Sequence, residues 1–344
     1  MSLTLPPGLR FLVGRLAQLV PTLVGVSLFA FVLIRLSGDP TGLLLAPDAT
    51  EAERMAFRHA YGLDRPVAEQ YLRYVSRLAQ GDFGVSFFQG EPALRLVLER
   101  LPATLQLAGT AIVIVLVVGI PVGVLAAVRR GSVVDYVTLA LVALGQSVAT
   151  FWLGLMLIIV FAVGWRLVPP SGFGTTAQLV LPAITLAAYY LAVATRLTRS
   201  GMLEVLAQDY VRTARAKGIS EALTVFRHAL RNALIPLLTV LGLQIGELLA
   251  GSVVTETVFA WPGVGTLVLD SILRRDYPLV QAVIIVLAVI YTVVNLGFGG
   301  QFDLGKTKCN ASIMLKNVFD ERYLANRNYF GAPRTVELTL RANF

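Results

Sequence analysis

Four stretches of this chain, Leu101–Val128, Tyr136–Trp165, Leu167–Thr195 and Tyr277–Phe302, each run for 26 to 30 residues without a charged side chain. A backbone carried into hydrocarbon must satisfy its own amides, and a helix does so within one segment. About 20 apolar residues in a helix cross a ~30 Å hydrocarbon core. A fifth run, Leu16–Ile34, meets that length, and a sixth, about Leu234–Phe259, meets it once Glu247 and Glu256 are accommodated. Composition agrees: 15% of residues are charged and mean hydropathy is +0.72, against roughly 25% charged in soluble chains. The expected fold class is an all-α polytopic membrane protein. Its six transmembrane helices are expected near 14–36, 104–128, 135–163, 178–197, 234–258 and 278–296.

The net charge of +8 would point a soluble protein towards nucleic acid. Here basic loops of a membrane protein account for it, and no nucleic-acid partner is expected. Arg129 and Arg130 lie between the second and third runs, and Arg196, Arg199, Arg212, Arg215, Lys217, Arg227 and Arg231 lie around the fourth-to-fifth connection. Basic residues near membrane ends are retained in the cytoplasm. With Arg10 and Arg15 before the first run, this predicts both termini on the cytoplasmic side of the membrane. Arg274 and Arg275 run against the rule, beside Asp270 and Asp276. The first run is longer than a signal-peptide core and lacks an Ala-x-Ala end, so a retained span is expected.

Chemistry of the reactive kind has little to build on. Cys309 is the one cysteine, and His59 and His228 have no ligand-like spacing. No His-Glu-x-x-His, Gly-x-Ser-x-Gly or paired intramembrane aspartates occur. The reading therefore assigns no catalytic residue, no metal and no cofactor. Gly300–Thr307 satisfies the written phosphate-loop pattern. That chemistry needs a strand before the loop and a helix after it. Here an apolar span precedes and a strand-like segment follows.

Two polar segments separate the runs. Ser37–Arg100 is expected outside the membrane, with short helices over Ala49–Ala60 and Pro66–Gln80 and a turn at Gly81-Asp82-Phe83-Gly84. Residues 198–232 form the basic connection. Within it Met202–Lys217 reads as one helix, with Leu203, Leu206, Tyr210 and Thr213 at three- and four-residue spacings, ended by Gly218. Two readings fit this periodicity: a helix lying among lipid headgroups, or a lever gripped by a partner.

The stretch Asp209-Tyr210-Val211-Arg212-Thr213-Ala214-Arg215-Ala216-Lys217-Gly218, followed by Arg227–Pro236, resembles the coupling loop of dipeptide, oligopeptide and nickel ABC permeases. Arg212-Thr213-Ala214 stands where other permeases have Glu-Ala-Ala. Gly81–Ser86, Arg100–Leu105, Pro169–Gly172, Glu256–Gly265 and Arg275–Pro278 match the same family in order, over about residues 9–296. The resemblance implies a transport subunit in residues 1–296, with an external insertion at 37–100 and a coupling loop at 198–232. It also implies a second homologous permease subunit, two cytoplasmic ABC ATPase subunits that hydrolyse the ATP, and a periplasmic or lipid-anchored solute-binding protein. The implied cargo is peptide, with nickel complexes and glutathione as alternatives.

Charged groups inside a span face a cavity or a partner. Gln244, Glu247 and Glu256 in the fifth run are candidates for lining a translocation pathway, and Gly242, Gly246 and Gly251 allow close approach nearby. The competing reading is a buried hydrogen bond between spans. Gln146, Ser147 and Thr150 read as packing, and Gly119-x-x-x-Gly123 as a small-residue helix contact.

The last segment, 297–344, has a different pattern. Val336, Leu338, Leu340, Ala342 and Phe344 alternate with Glu337, Thr339, Arg341 and Asn343, as in an outer-membrane strand. Leu315–Tyr323 and Gly331–Thr335 resemble the end of a TonB-dependent receptor. Two strands alone leave edges that lipid cannot satisfy, so a fusion, frameshift or sequence error near 296–299 is expected. A receptor as the identity of the whole chain fails on its long apolar helices.

Overall fold

The computed structural model describes residues 7–36, 38, 41, 45, 48–298, 301–304, 307–316 and 335–343. The apolar runs become helices, several longer than the runs themselves because polar residues at each end continue the turn. Helix α1 spans Pro7–Leu36. In the polar segment after it, α2 (Glu51–Ala60) starts on a reciprocal cap, in which the Thr50 hydroxyl accepts from the Glu53 amide and Glu53 accepts from the Thr50 amide. Helix α3 is Val67–Ala79. Beyond it the Asp82 carboxylate accepts from the Gly84 amide at 2.8 Å, closing the expected turn.

The second run is α4 (Ala93–Ile114), a π-helical turn at Val115–Gly119, and α5 (Ile120–Val128), together one apolar rod of 36 residues. Pro121 supplies the cause of the wide turn, because its ring lacks an N–H and crowds the preceding turn of backbone. Helix α8 (Thr176–Leu206) runs beside this rod in the same direction. Ala103, Leu107, Ala111 and Val115 pack on Ala183, Leu186, Ala187, Tyr190 and Ala194. Gly119 and Gly123 then bring the two backbones close: the Thr195 hydroxyl donates to the Gly119 carbonyl at 3.2 Å, and a Cβ on Gly123 would lie 2.6 Å from the Thr195 carbonyl oxygen.

The third run departs from the expectation of one span over 135–163. It forms α6 (Val133–Ser147) and α7 (Thr150–Leu157, continued as a π-helical turn over Ile158–Gly164), set at 108° to each other. No proline marks the break. Val148 and Ala149 are extended, and the Ser147 hydroxyl donates back to the Ala143 carbonyl, a local bond that competes with the helix ladder. Beyond the break, Gly154 lets α7 settle against Val258, Phe259 and Thr185.

After a polar connection come α10 (Leu230–Val258), α11 (Val264–Leu273) and α12 (Tyr277–Phe298). By length and composition, among the described residues, Ala93–Val128 and Thr176–Leu206 are long and apolar enough to cross a membrane, and the bent pair α6–α7 makes a third if it counts as one span. The bundle has two poles. At one, Ala93, Leu96 and Val97 meet Val264, Leu267, Leu279 and Val283, and Ile34 meets Tyr277 and Val280. At the other, Val124 and Ala127 meet Met202, Val225, Ala229 and Ala233. An Asp135–Arg199 ion pair, 2.6 and 2.9 Å, ties α6 to α8 near this second pole.

The last segment is a three-stranded antiparallel sheet in the order β1 (Gln301–Leu304), β2 (Thr307–Lys316), β3 (Thr335–Asn343). Lys308 pairs with Asn343 and Lys316 with Thr335. Gly300, Gly305, Lys306, Val318–Tyr323, Gly331–Arg334 and Phe344 lie outside the described residues. After the phosphate-loop pattern the chain enters β2, where a phosphate-cradling helix would have to begin.

The contact at Gly123 generates a paired test. Gly123→Leu drives a side chain into the α8 backbone and is expected to lower thermal stability in detergent by about 1–3 kcal/mol or more, the usual cost of overpacking. Gly109→Leu, where a Cβ meets nothing within 4 Å, leaves the melting temperature unchanged. Equal melting of the two variants would refute the contact.

Candidate coupling and transport site

The polar connection is built differently from the single helix expected over Met202–Lys217. Helix α8 ends at Leu206, Gln208 is extended, and a separate α9 spans Asp209–Ala216. The break has a packing cause. Met202 with Leu203, Val205 and Leu206 belongs to the bundle core. A straight continuation would carry Val211 and Ala214 away from that core. Turned at Gln208, α9 lies against the π-helical turn Thr224–Ala229, with Val211 and Ala214 buried.

The rest of α9 faces outward. Asp209, Tyr210, Arg212, Thr213, Arg215, Ala216, Lys217 and Gly218 are exposed. Gly218 ends the helix at φ +75°, a left-handed conformation that side chains disfavour. Arg215 donates twice to Glu221, at 2.7 and 3.0 Å, closing the loop beyond the glycine. These bonds hold the Glu221 carboxyl below its ordinary pKa. Asn232, in the first turn of α10, donates to the Tyr210 hydroxyl at 2.8 Å. Helix α9 is thus joined to α8 through the chain and to α10 through a side chain.

At the opposite pole three segments meet on one carboxylate. Glu256, 0% exposed, sits near the end of α10. Its Oε1 accepts from Thr104 at 2.8 Å and lies 3.1 Å from Ser252 Oγ, and its Oε2 accepts from the Thr266 amide at 3.0 Å. Thr104 Oγ1 in turn accepts from the Val264 amide at 2.8 Å, and the Trp261 indole donates to the Ala103 carbonyl at 2.9 Å. The carboxylate therefore holds the first turn of α11 and the wall of α4 together, as an acid suits a helix N-terminus. A Cβ on Gly263 would lie 2.3 Å from the Glu256 carboxyl carbon, and one on Gly265 2.6 Å from the Val253 backbone. Only glycine lets the loop wrap this closely.

The expected pathway trio is spread over three environments. Gln244 is buried, with its Oε1 unpartnered among the described residues, and Glu247 is exposed one turn on. Glu256 lies in the joint. Gly246 lets α10 approach Tyr291 of α12, where a Cβ would strike the ring. Gln146 accepts from Arg196 at 3.2 Å, and Ser147 bonds its own helix. Sequence reasoning missed the roles of Thr104, Trp261 and Thr266. The signal was present in the two motif strings Arg100–Leu105 and Glu256–Gly265, but nothing linear says that they touch.

These features define a polytopic helical membrane protein, with an exposed polar helix hung between two long ones. The family described as "Binding-protein-dependent transport system inner membrane component" matches residues 119–304, and its N-terminal companion matches residues 8–108. The dipeptide transport system permease protein DppB of Escherichia coli is 40% identical over 321 residues, 84% of this chain and 95% of that protein. The di/tripeptide transport system permease protein DppB of Pseudomonas aeruginosa is 45% identical over 317 residues, 83% of this chain and 94% of that one. The oligopeptide transport system permease protein AppB of Bacillus subtilis is 41% identical over 298 residues, with coverages of 83% and 94%. The chain belongs to the inner membrane components of binding-protein-dependent transport systems, and as such is a transport subunit, not an enzyme.

The joint makes its own prediction. Glu256→Ala leaves the Thr266 amide and the Thr104 hydroxyl buried without an acceptor, at about 1–3 kcal/mol for each. Expected is a clear drop in melting temperature of the purified protein, with Glu256→Gln, whose amide oxygen still accepts, falling in between. An Ala variant as stable as the wild type would remove the joint from the account.

Proposed function

We propose that this chain forms half of the translocation pathway of an ATP-driven importer of di- and oligopeptides, and that α9 with Gly218 is the surface through which a separate ATPase drives it. The observation that carries the reading is the construction of α9. Two buried residues, Val211 and Ala214, seat it, every charged residue faces outward, and it is fastened to both α8 and α10. A push on that helix reaches two spans together, the arrangement a rigid-body switch needs. The working assembly contains a second homologous permease, two cytoplasmic ATPases and a periplasmic or lipid-anchored binding protein.

In this reading the chain crosses the membrane six times, the bent α6–α7 pair counting as one crossing, with both termini and α9 in the cytoplasm. Gln244 and Glu247 serve the pathway wall. Glu256, with its donors already in place, holds the outer ends of the helices. Peptide as cargo rests on the names of the relatives. The foreign segment expected from residue 297 begins after residue 304, where the family match ends, and an uninterrupted reading frame across that point in several isolates would overturn a foreign origin for 305–344.

Uptake tests the whole. In a strain lacking this chain, the wild-type gene is expected to restore uptake of di- and oligopeptides. Restoration of nickel or glutathione uptake alone would reject peptide as cargo. Gly218→Val places a β-branched residue at φ +75°, a strain of about 1–2 kcal/mol. Peptide uptake should fall about tenfold for such a cost, while the assembled complex continues to hydrolyse ATP. Unchanged uptake would reject α9 as the coupling element.

A further inference from the structure

Between Arg231 and the end of α10 the charged residues are Glu247 and Glu256. Glu256 is sealed in the joint. Glu247 is exposed, and among the described residues it makes no ion pair and no hydrogen bond. A bare charge within a span is costly and faces a cavity or a partner.

The surroundings of Glu247 are closed on every side but one. Helix α4 packs on Ala183, Ala187, Tyr190 and Ala194 of α8 and on Leu248 of α10. Helix α6 lies on α8 at Ala188 and Ala192, through Gly145. On α10, Gly246 meets Tyr291 of α12, and Val258 meets α7 through Gly154. What stays open is the strip of α8 and α10 turned away from α4. Tyr189, 45% exposed, lies on it from α8, and Glu247 lies on it from α10.

Tyr190 ties the two helices together beside this strip. Its hydroxyl lies over α10 at Gly251, where a Cβ would be 3.4 Å away. Glu247 is one turn from Gly251 on the same face, near enough for its charge to be felt at that hydroxyl. Tyr190 is 8% exposed, and its hydroxyl, unbonded among the described residues, is not one of the atoms sealed from solvent. The Tyr189 ring stands edge-on to the Tyr190 ring, centroids 5.3 Å apart at 89°, an arrangement that holds both. Arg196, two turns beyond Tyr189, donates to Gln146 and not to Glu247.

One carboxylate, one phenol oxygen and one exposed ring suit a particular group. A primary ammonium has three N–H donors, and its charge is met both by a carboxylate and by the face of a ring. A metal ion calls for further ligands, and no group of three acids, histidines or cysteines stands together among the described residues. We infer that Glu247, with Tyr189 and Tyr190, receives the free α-ammonium of a peptide as it passes through the bundle. The site rests on the reading of this face as the pathway wall. An anchor common to every unblocked peptide serves a route that carries many sequences.

Photo-crosslinking in the assembled complex tests it. Photo-leucyl-alanine and its N-acetyl form are added without the binding protein, and the labelled residues are read by mass spectrometry. The free dipeptide is expected to label α8 and α10 around Tyr189 and Glu247, and the acetylated one about tenfold less, as for a lost charge-assisted bond. Glu247→Gln should bring labelling by the free dipeptide down to the acetylated level, while Glu247→Asp, which keeps the charge, retains most of it. If the Gln variant fails to assemble, Tyr189→Leu, at an exposed position, carries the test by weakening labelling with the free dipeptide alone. Equal labelling by the two dipeptides overturns the ammonium site and leaves the pathway reading intact. So does undiminished labelling in Glu247→Gln. Labelling of neither helix by either dipeptide takes the pathway reading down with the site.

Discussion

One carboxylate organises the half of this bundle that lies away from α9. Glu256 lies on α10, but its donors come from α4 and α11 as well, so three stretches of chain are fixed by one side chain. Burying such a group costs several kcal/mol unless donors surround it, and here they do. The Thr104 hydroxyl is used twice, donating to the acid and accepting from the Val264 amide. Trp261 fills the space beside it and caps its own indole on Ala103. A second acid repeats the arrangement at the edge of the polar domain. Asp276 accepts from the Ser86 hydroxyl and the Phe87 amide, pinning the loop after α3 to the start of α12.

Much of the helical plan was legible because charge is expensive in hydrocarbon. The uncharged runs at 101–128 and 167–195 became the two longest apolar helices, and Pro66–Gln80 became Val67–Ala79. What sequence could not supply were features set by contact at a distance. The 108° break after Ser147 has no proline to announce it. Helix α11 hides in an apolar stretch whose purpose is to meet the joint. The four motif strings around residues 81–86, 100–105, 256–265 and 275–278 read as separate markers. In space they are two docked pairs, Ser86 with Asp276 and Thr104 with Glu256.

The candidate coupling surface was legible in identity and not in shape. Exposed Arg212, Arg215 and Lys217 fall between the positions of the spaced stripe, but Tyr210 and Thr213 on that stripe are exposed too, and the buried pair is Val211 and Ala214. The separation of α9 from α8 was invisible, because Leu203, Leu206 and Tyr210 keep helical spacing across the turn at Gln208. The pathway trio was grouped by type and spacing. Burial divides it, since a helix turned towards a neighbour hides one polar side chain and exposes another a turn away.

The joint also carries a history of synthesis. Thr104 and Glu256 are 152 positions apart, and the amide of Thr266 follows later still. A nascent chain emerging from the ribosome N-terminus first inserts α4 long before its acceptor exists. Through that interval the Thr104 hydroxyl has neither the carboxylate it donates to nor the Val264 amide it accepts from. The late arrival of α10 and α11 then acts as the latch that turns the first helices into a finished subunit.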